Sequence, residues 1–187
     1  MNIPKLILEK ISSLKTPVII GVSGLGGVGK STFATSLGEI IHAPIVGVDS
    51  FMKDRPTEDY SLWEIMDFPR LEKEVLKPML ANKTTFSYGH FDWEQNGIIG
   101  RREIKHQGLL IVEGVGLFRP ELKKYLKLTI WVDCPVEEAI NRGKKRDREE
   151  YQNPQDEYWD TIWKKNDQEY LEAYHPEKTA DIIVNNC

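Results

Sequence analysis

Five short apolar runs are spaced along the chain of 187 residues. They lack the polar alternation of strands that expose one face to water, and this is typical of parallel strands covered on both faces. The runs are PVIIGVS (17–23), PIVGVD (44–49), LLIVE (109–113), LTIWVD (128–133) and ADIIVN (180–185). We therefore predict buried strands in these five places.

Amphipathic stretches lie between the apolar runs. Residues 33–41 and 71–79 carry apolar side chains at helical spacing, and Pro135 suits the first turn of a helix that runs toward Arg146. Strand followed by helix, repeated, predicts a layered α/β fold. A later helix has an apolar, mainly aromatic face that we expect to pack against the sheet. Its members are Trp159, Ile162, Trp163, Tyr170 and Tyr174.

Residues 84–105 break the alternation of strand and helix. Short apolar segments there are separated by turn residues, including Asn96 and Gly97, and predict a small β-hairpin insertion. No linker divides the chain, and its 40% of hydrophobic residues can fill one good core. We therefore expect a single domain over residues 1–187.

Charge and composition limit the classes of partner. The chain has 25 Lys and Arg against 29 Asp and Glu, so its net charge of -4 favours neither nucleic acid nor an anionic membrane, and any anion site must be local. No apolar run reaches membrane-spanning length. Cys134 and Cys187 lack the spacing of a metal site or a disulfide framework, which favours a reducing cytoplasm. We expect surface roles for His42, His106 and His175.

The strongest chemical signal is the segment GLGGVGKST, residues 24–32, which matches the pattern G-x-x-x-x-G-K-[ST]. It follows a predicted strand and opens a predicted helix. Glycines let successive N–H groups turn toward a phosphate, Lys30 can reach the β and γ oxygens, and the Ser31 hydroxyl can ligate magnesium. We predict a nucleotide site formed by Gly24, Gly26, Gly27, Val28, Gly29, Lys30, Ser31 and Thr32.

Two carboxylates stand at the ends of predicted strands. Glu113 ends LLIVE, where a carboxylate beside the glycine loop can hold magnesium directly or through water. Asp49 ends PIVGVD, at the edge of the sheet where ligands bind, and could accept the proton of a substrate hydroxyl. The alternatives are a surface turn for Glu113 and a helix N-cap for Asp49.

A basic cluster follows the strand that ends at Asp133. Arginine there can spread phosphoryl charge in a transition state, and a mobile basic segment can exclude water, so we predict a lid over residues 142–157. Arg142 would contact the nucleotide and Arg146 would assist transfer. A solvated helix end is the alternative. The cluster comprises Arg142, Lys144, Lys145, Arg146 and Arg148.

In this order the landmarks resemble those of the uridine kinase and phosphoribulokinase group. That group joins a P-loop to a D-S-F-Y-type motif, a D-x-P motif, an E-G strand end and an arginine lid. This chain has GLGGVGKST, DSFMKD, MDFPR, IVEGV and NRGKKRD. The resemblance covers nearly the whole chain and implies a P-loop NTPase fold with a five-stranded parallel core, ATP as donor, Asp49 as catalytic base and Asp67 as a ligand of the substrate hydroxyl.

The hairpin departs from the group. Uridine kinases typically carry Y-D-F-x-x-H there to bind the nucleoside, whereas this chain has FDWEQN at 91–96, and Met52 replaces the tyrosine of the D-S-F-Y-type motif. What remains is an aromatic set, Tyr88, Phe91 and Trp93, that could stack a planar substrate ring or only pack together.

Together these features predict an ATP- and magnesium-dependent kinase in which Asp49, Lys30 and Arg146 act on a hydroxyl of a small molecule, with a nucleoside or a related metabolite as the first candidate. A homo-oligomer is compatible with the sequence. Two alternatives stay open. One is a nucleotide-dependent switch or assembly protein, in which VEGVG imitates a D-x-x-G sensor, and the other is a nucleotide-binding protein without turnover.

Overall fold

The computed structural model describes residues 2–53 and 61–187. Its strands are β1 (Val18–Ser23), β2 (Ile45–Gly47), β3 (Thr85–Asp92), β4 (Gly97–Lys105), β5 (Leu109–Glu113), β6 (Leu128–Asp133) and β7 (Ile182–Asn185). Its α-helices are α1 (Lys5–Ser12), α2 (Lys30–Ile41), α3 (Leu62–Ile65), α4 (Phe68–Leu71), α5 (Lys77–Leu80), α6 (Pro120–Lys123), α7 (Val136–Glu149), α8 (Asp156–Tyr158), α9 (Lys164–Tyr174) and α10 (Pro176–Thr179).

Five strands form one parallel sheet in the order β2-β5-β1-β6-β7. Every residue of β1 is buried, which explains its unbroken apolar run. The α/β fold with a five-stranded parallel sheet is therefore confirmed. Because β1 is central and parallel to its neighbours β5 and β6, the carboxyl ends of these strands meet at one edge.

The helices follow the predicted pattern with one local difference. Pro135 precedes α7, as expected for a helix start. The predicted helix over 71–79 spans α4 and α5, which are joined by a π-helical turn, Glu72–Leu76. Leu71, Val75 and Met79 are buried on its inner face.

The aromatic helix packs only in part as predicted. It comprises α8, a π-helical turn at Trp159–Trp163, and α9. Tyr170 does contact the sheet, with its ring centroid 6.2 Å from that of Trp131 on β6. The ring of Trp159 lies instead against Gly26 of the glycine loop and Gly143 of α7.

The predicted hairpin is formed by β3 and β4, which pair antiparallel with an irregularity between His90 and Phe91. Asn96 has a φ of 48° in the connecting turn. The hairpin forms its own two-stranded sheet, separate from the parallel one.

Two sequence predictions are wrong, one about the two cysteines and one about His106. Cys134 and Cys187 form a disulfide, with their Cα atoms 5.4 Å apart. The pairing of β6 with β7 brings them together, since Asp133 lies opposite Asn185. His106 is buried and holds a turn: its ring lies within hydrogen-bond distance of the Lys83 carbonyl and accepts from the Gly108 N–H.

No helix within residues 2–53 or 61–187 is long and apolar enough to cross a membrane.

Candidate active site

The glycine loop connects β1 to α2 at the carboxyl edge of the sheet. Gly27 and Gly29 have φ angles of 78° and 89°, which favour glycine. A Cβ atom on Gly27 would also lie 2.0 Å from the Ala139 carbonyl oxygen of α7. The Val28 side chain is buried, so its backbone is the part that can serve a ligand. The loop is thus shaped by close backbone approach, as an N–H cradle for an anion requires.

Lys30 is the first residue of α2, and its side chain is almost completely buried. Its ammonium donates to the Leu25 carbonyl oxygen at 2.7 Å and therefore lies over the loop. The positive end of α2 points to the same place. The two features together make the loop a strong local anion site in a chain of net negative charge.

Ser31 and Glu113 supply two oxygen ligands beside this loop. The Ser31 hydroxyl donates to Oε1 of Glu113 at 3.3 Å. Burial, reinforced by the charge of Asp49, raises the pKa of Glu113 to about 7, while Lys30 and Ser31 oppose the rise. A hydroxyl and a half-buried carboxylate of raised pKa are oxygen ligands suited to magnesium. The two residues fit the metal role that the sequence predicts.

Asp49 lies in a short 3₁₀ turn, Val48–Ser50, directly after β2. Gly47, not Asp49, precedes the turn as its N-cap, so the capping alternative does not describe this residue. Burial raises the pKa of the Asp49 carboxyl, and the charges of Lys30 and Arg146 lower it. The residue as a whole is exposed, so its carboxyl combines access from solvent with crowding by the surrounding groups. It lies within electrostatic range of Lys30 and of Arg146.

Arg146 is distinguished from the other basic residues of α7 by this proximity to Asp49. Its guanidinium is held by two hydrogen bonds to Oδ1 of Asp147 and lies over the Tyr151 ring. The others form surface ion pairs: Arg142 with Glu138, Lys144 with Asp160, Lys145 with Glu149, and Arg148 with Asp156. Arg142 also donates to the Asn186 carbonyl, and Asn186 donates to that of Val28, so Arg142 is linked to the glycine loop.

Asp67 is the N-cap of α4. Its Oδ1 accepts from the Arg70 N–H at 3.1 Å, and its Oδ2 accepts from Arg70 Nε at 3.2 Å. Arg70 donates further to the carbonyls of Gly89 and Ser50. The D-x-P segment is thereby tied both to the hairpin and to the residue beside Asp49. Asp54, the last residue of DSFMKD, lies outside the described residues.

The aromatic residues of the hairpin favour packing over stacking on a ligand. Tyr88 and Phe91 are each 2% exposed. Tyr88 stacks on Phe51 with ring centroids 5.2 Å apart, and Phe91 meets the partly buried Trp93 edge-on at 6.0 Å. These contacts already occupy the two buried rings within the core.

His90 of the hairpin lies beside the turn that carries Asp49. Its Nδ1 lies 3.1 Å from the Ser50 hydroxyl, and its Nε2 lies 2.7 Å from Arg102 Nη2. Arginine can only donate, so Nε2 accepts and Nδ1 carries the proton. Burial, together with the charge of Arg102, lowers the pKa of His90, which keeps the ring neutral. His90 therefore fixes the turn that carries Asp49.

Asp167 is the site residue that sequence reasoning missed. Its Oδ2 accepts from the Gly26 N–H of the glycine loop at 2.8 Å, although the residues are 141 positions apart. A signal for its burial exists, because Asp167 lies four residues after Trp163 and three before Tyr170, on the apolar face of the helix. The pattern gives no indication of the contact with the loop.

Comparisons with known proteins bear on the fold and the family of this chain. No protein-family model matches the chain. A uridine kinase from Clostridium novyi (strain NT) is 27% identical over 186 residues, covering 90% of this chain and 86% of the relative. A candidate fructose transport system kinase from Silicibacter sp. TM1040 superposes with a TM-score of 0.77 at 20% identity and 95% coverage of both chains. D-glycerate 3-kinase from Cryptococcus neoformans var. grubii superposes with a TM-score of 0.62 at 11% identity, covering 96% of this chain and 91% of that chain.

The solved structures share the fold, and together with the glycine loop they define the class as a P-loop NTPase fold. The sequence relatives support a uridine kinase- and phosphoribulokinase-like family, and the resemblance seen in the motifs is confirmed.

Replacing Asp167 with Asn should stabilise the nucleotide-free protein in a pH-dependent way. Burial raises the pKa of Asp167 from 3.8 to about 6, so the folded protein holds this proton more tightly than the unfolded chain. The contribution of Asp167 to the free energy of unfolding should therefore fall as the pH rises from about 4 to about 6 and then level off. The amide introduced by Asp167→Asn does not titrate, so the variant should gain on the order of 3 kcal/mol relative to the wild type across this window.

Urea unfolding of both proteins between pH 4 and pH 8 measures the difference. The other buried acids titrate in both proteins and largely cancel. A difference that stays constant over this range would contradict the prediction.

Proposed function

We propose that this protein is an ATP-dependent kinase that transfers the γ-phosphoryl group to a hydroxyl of a small molecule, with a nucleoside as the first candidate acceptor. One observation carries the proposal. The glycine-loop lysine, a Ser31–Glu113 oxygen pair and the carboxylate of Asp49, with its raised pKa, are brought together after three adjacent parallel strands. A donor site alone would need no carboxylate of raised pKa at Asp49.

In the proposed phosphoryl transfer, Asp49 is the proton acceptor. The acceptor oxygen forms a bond to the γ-phosphorus, the bond from that phosphorus to the β–γ bridging oxygen breaks, and the hydroxyl proton passes to Asp49. The raised pKa of Asp49 makes it a better proton acceptor than an aspartate of ordinary pKa. Asp67 would hold the acceptor hydroxyl after exchanging part of its bonding with Arg70.

The phosphate side is served by other groups of the chain. Lys30 and the N–H groups of residues 24–32 would hold the β and γ phosphates, and Arg146 would oppose the negative charge that spreads over the phosphoryl group. Ser31 and Glu113 fit a magnesium ion, which when bound neutralises phosphate charge. Arg142 would contact the nucleotide from α7.

The acceptor is proposed from the relatives and from the hairpin. A uridine kinase is among the sequence relatives, while the solved structures of the same fold include kinases named for fructose transport and for D-glycerate. Tyr88 and Phe91 are packed in the core, so recognition of a planar base would fall to Trp93 and to polar groups around His90. ATP as donor is also the reason to propose a cytoplasmic location.

Labelled ATP and a panel of acceptors test the function directly. Incubation with nucleosides, sugars, sugar acids, sugar phosphates and vitamin precursors should yield one class of labelled small molecule, with the highest kcat/KM for nucleosides. If no acceptor is labelled while a protein partner accelerates ATP hydrolysis, the switch alternative replaces the kinase.

Asp49→Asn should separate transfer from binding. The amide has nearly the same size but cannot take the proton, so the rate of transfer should fall by about 10²- to 10⁴-fold, while ATP affinity stays within about threefold of the wild type. Single-turnover kinetics and calorimetric titration measure the two quantities. An equal loss in both would remove Asp49 from the role of base.

Lys30→Ala should, in contrast to Asp49→Asn, mainly weaken the binding of ATP. Loss of the buried ammonium removes a charge-assisted contact with phosphate, and ATP affinity should fall by roughly ten- to a hundredfold. The matched control is Lys10→Ala on the exposed face of α1, which should bind ATP like the wild type. Unchanged affinity in the Lys30 variant would place the phosphates elsewhere.

A further inference from the structure

A buried carboxylate contacts the phosphate-binding loop from outside the sheet. Oδ2 of Asp167 accepts from the Gly26 N–H at 2.8 Å, and Asp167 is only 6% exposed. Asp167 belongs to α9, which no motif of the site includes. Gly26 is the third residue of the glycine loop, so this bond directs its N–H toward Asp167 and fixes the backbone of the loop at that point.

Trp159, earlier in the same continuous helical segment, packs against the loop beside Asp167 and leaves no room for a side chain at Gly26. A Cβ atom on Gly26 would lie 2.9 Å from the Trp159 ring and 3.4 Å from Oδ2 of Asp167. The Trp159 ring also fills the space against Gly143 of α7. The loop is therefore clamped between an aromatic ring and a carboxylate.

A chain of contacts continues from this clamp to the lid. The indole N–H of Trp159 donates to Oδ2 of Asp147 at 2.7 Å. The other oxygen of Asp147 accepts both bonds from the Arg146 guanidinium. The glycine loop and Arg146 are thus connected through Trp159 and Asp147. A displacement of the loop would therefore displace the Arg146 guanidinium.

The carboxylate carries a stability cost at neutral pH. Burial raises the pKa of Asp167, and only the Lys30 charge and the Gly26 N–H oppose it. Tyr170 is the other titratable side chain in electrostatic contact with it, and it is un-ionised because burial raises its own pKa. A neutral acceptor of the same shape would hold the Gly26 amide at less cost, so the hydrogen bond, and not the charge, is what this residue contributes to the loop.

We propose that Asp167 is a positioning residue for the phosphate donor: it holds the Gly26 amide, and with it the glycine loop, in the arrangement that receives the nucleotide. It acts through the loop and does not touch the reacting atoms. The inference rests on the nucleotide-binding part of the proposed function and does not depend on the acceptor.

Two substitutions separate the hydrogen bond from the charge. Asp167→Ala removes the acceptor, so the loop loses its fixed amide and the affinity for ATP should fall about tenfold. Asp167→Asn keeps an acceptor oxygen at the same place and should restore the affinity to within about threefold of the wild type. The matched controls are Glu169→Ala and Glu169→Gln, which change a half-exposed acid of the same helix that pairs with Lys165.

Calorimetric titration with magnesium ATP and with adenosine measures the effect. Adenosine lacks phosphates, so its affinity should be the same in all variants. KM for ATP should follow the binding data, while KM for the acceptor stays unchanged. A thermal melt of each variant separates loss of folding from loss of binding.

The outcomes distinguish the alternatives. If Asp167→Ala binds ATP as the wild type does and only its melting temperature changes, Asp167 has a structural role and the proposal is wrong. If Asp167→Ala binds ATP more tightly, the carboxylate competes with phosphate and the proposal is again wrong. A wild type that binds ATP but labels no acceptor overturns the kinase function alone and leaves the result for Asp167 standing.

Discussion

The buried ammonium of Lys30 lies within electrostatic range of the carboxylates of Asp49, Glu113 and Asp167, and the chemistry of the site depends on this imbalance of charge. Its charge lowers the pKa of Asp49, Glu113 and Asp167, yet in each case burial outweighs that effect and the pKa stays raised. Carboxylates under such conditions hold protons more readily than exposed ones and attract further positive charge. A site of this kind is prepared both for a proton acceptor and for a cation beside Glu113.

The parallel sheet explains why these groups meet. Strands β2, β5 and β1 are neighbours, and the turn, the carboxylate and the glycine loop that follow them therefore share one edge. Helix α7 and the π-helical turn before α9 pack against the loop at that edge, with the Ala139 carbonyl against Gly27 and the Trp159 ring against Gly26. Both contacts require the absence of a side chain on the loop. The loop glycines thus allow α7 and the Trp159 ring to pack closely against the loop. The same lack of side chains would let a phosphate approach the loop backbone.

The sequence predicted the parts of the site that local pattern encodes. The glycine loop carries its chemistry in consecutive residues, and Asp49 and Glu113 are recognisable because each ends an apolar strand. Contacts between distant segments could not be predicted in this way. The bond from Gly26 to Asp167 joins residues 141 positions apart, and the Cys134–Cys187 disulfide depends on the pairing of β6 with β7. The aromatic side chains of the hairpin were ambiguous, because burial and ligand stacking favour the same residue types.

The central claim is that one edge of the sheet joins a phosphate donor to a catalytic base. A crystal structure with magnesium and a non-hydrolysable ATP analogue tests it most directly. The account predicts phosphates against the loop of residues 24–32, a metal ion bound to Ser31 and Glu113, and the terminal phosphate facing Asp49. Phosphates bound away from that loop, or an Asp49 carboxylate turned away from the terminal phosphate, would contradict it.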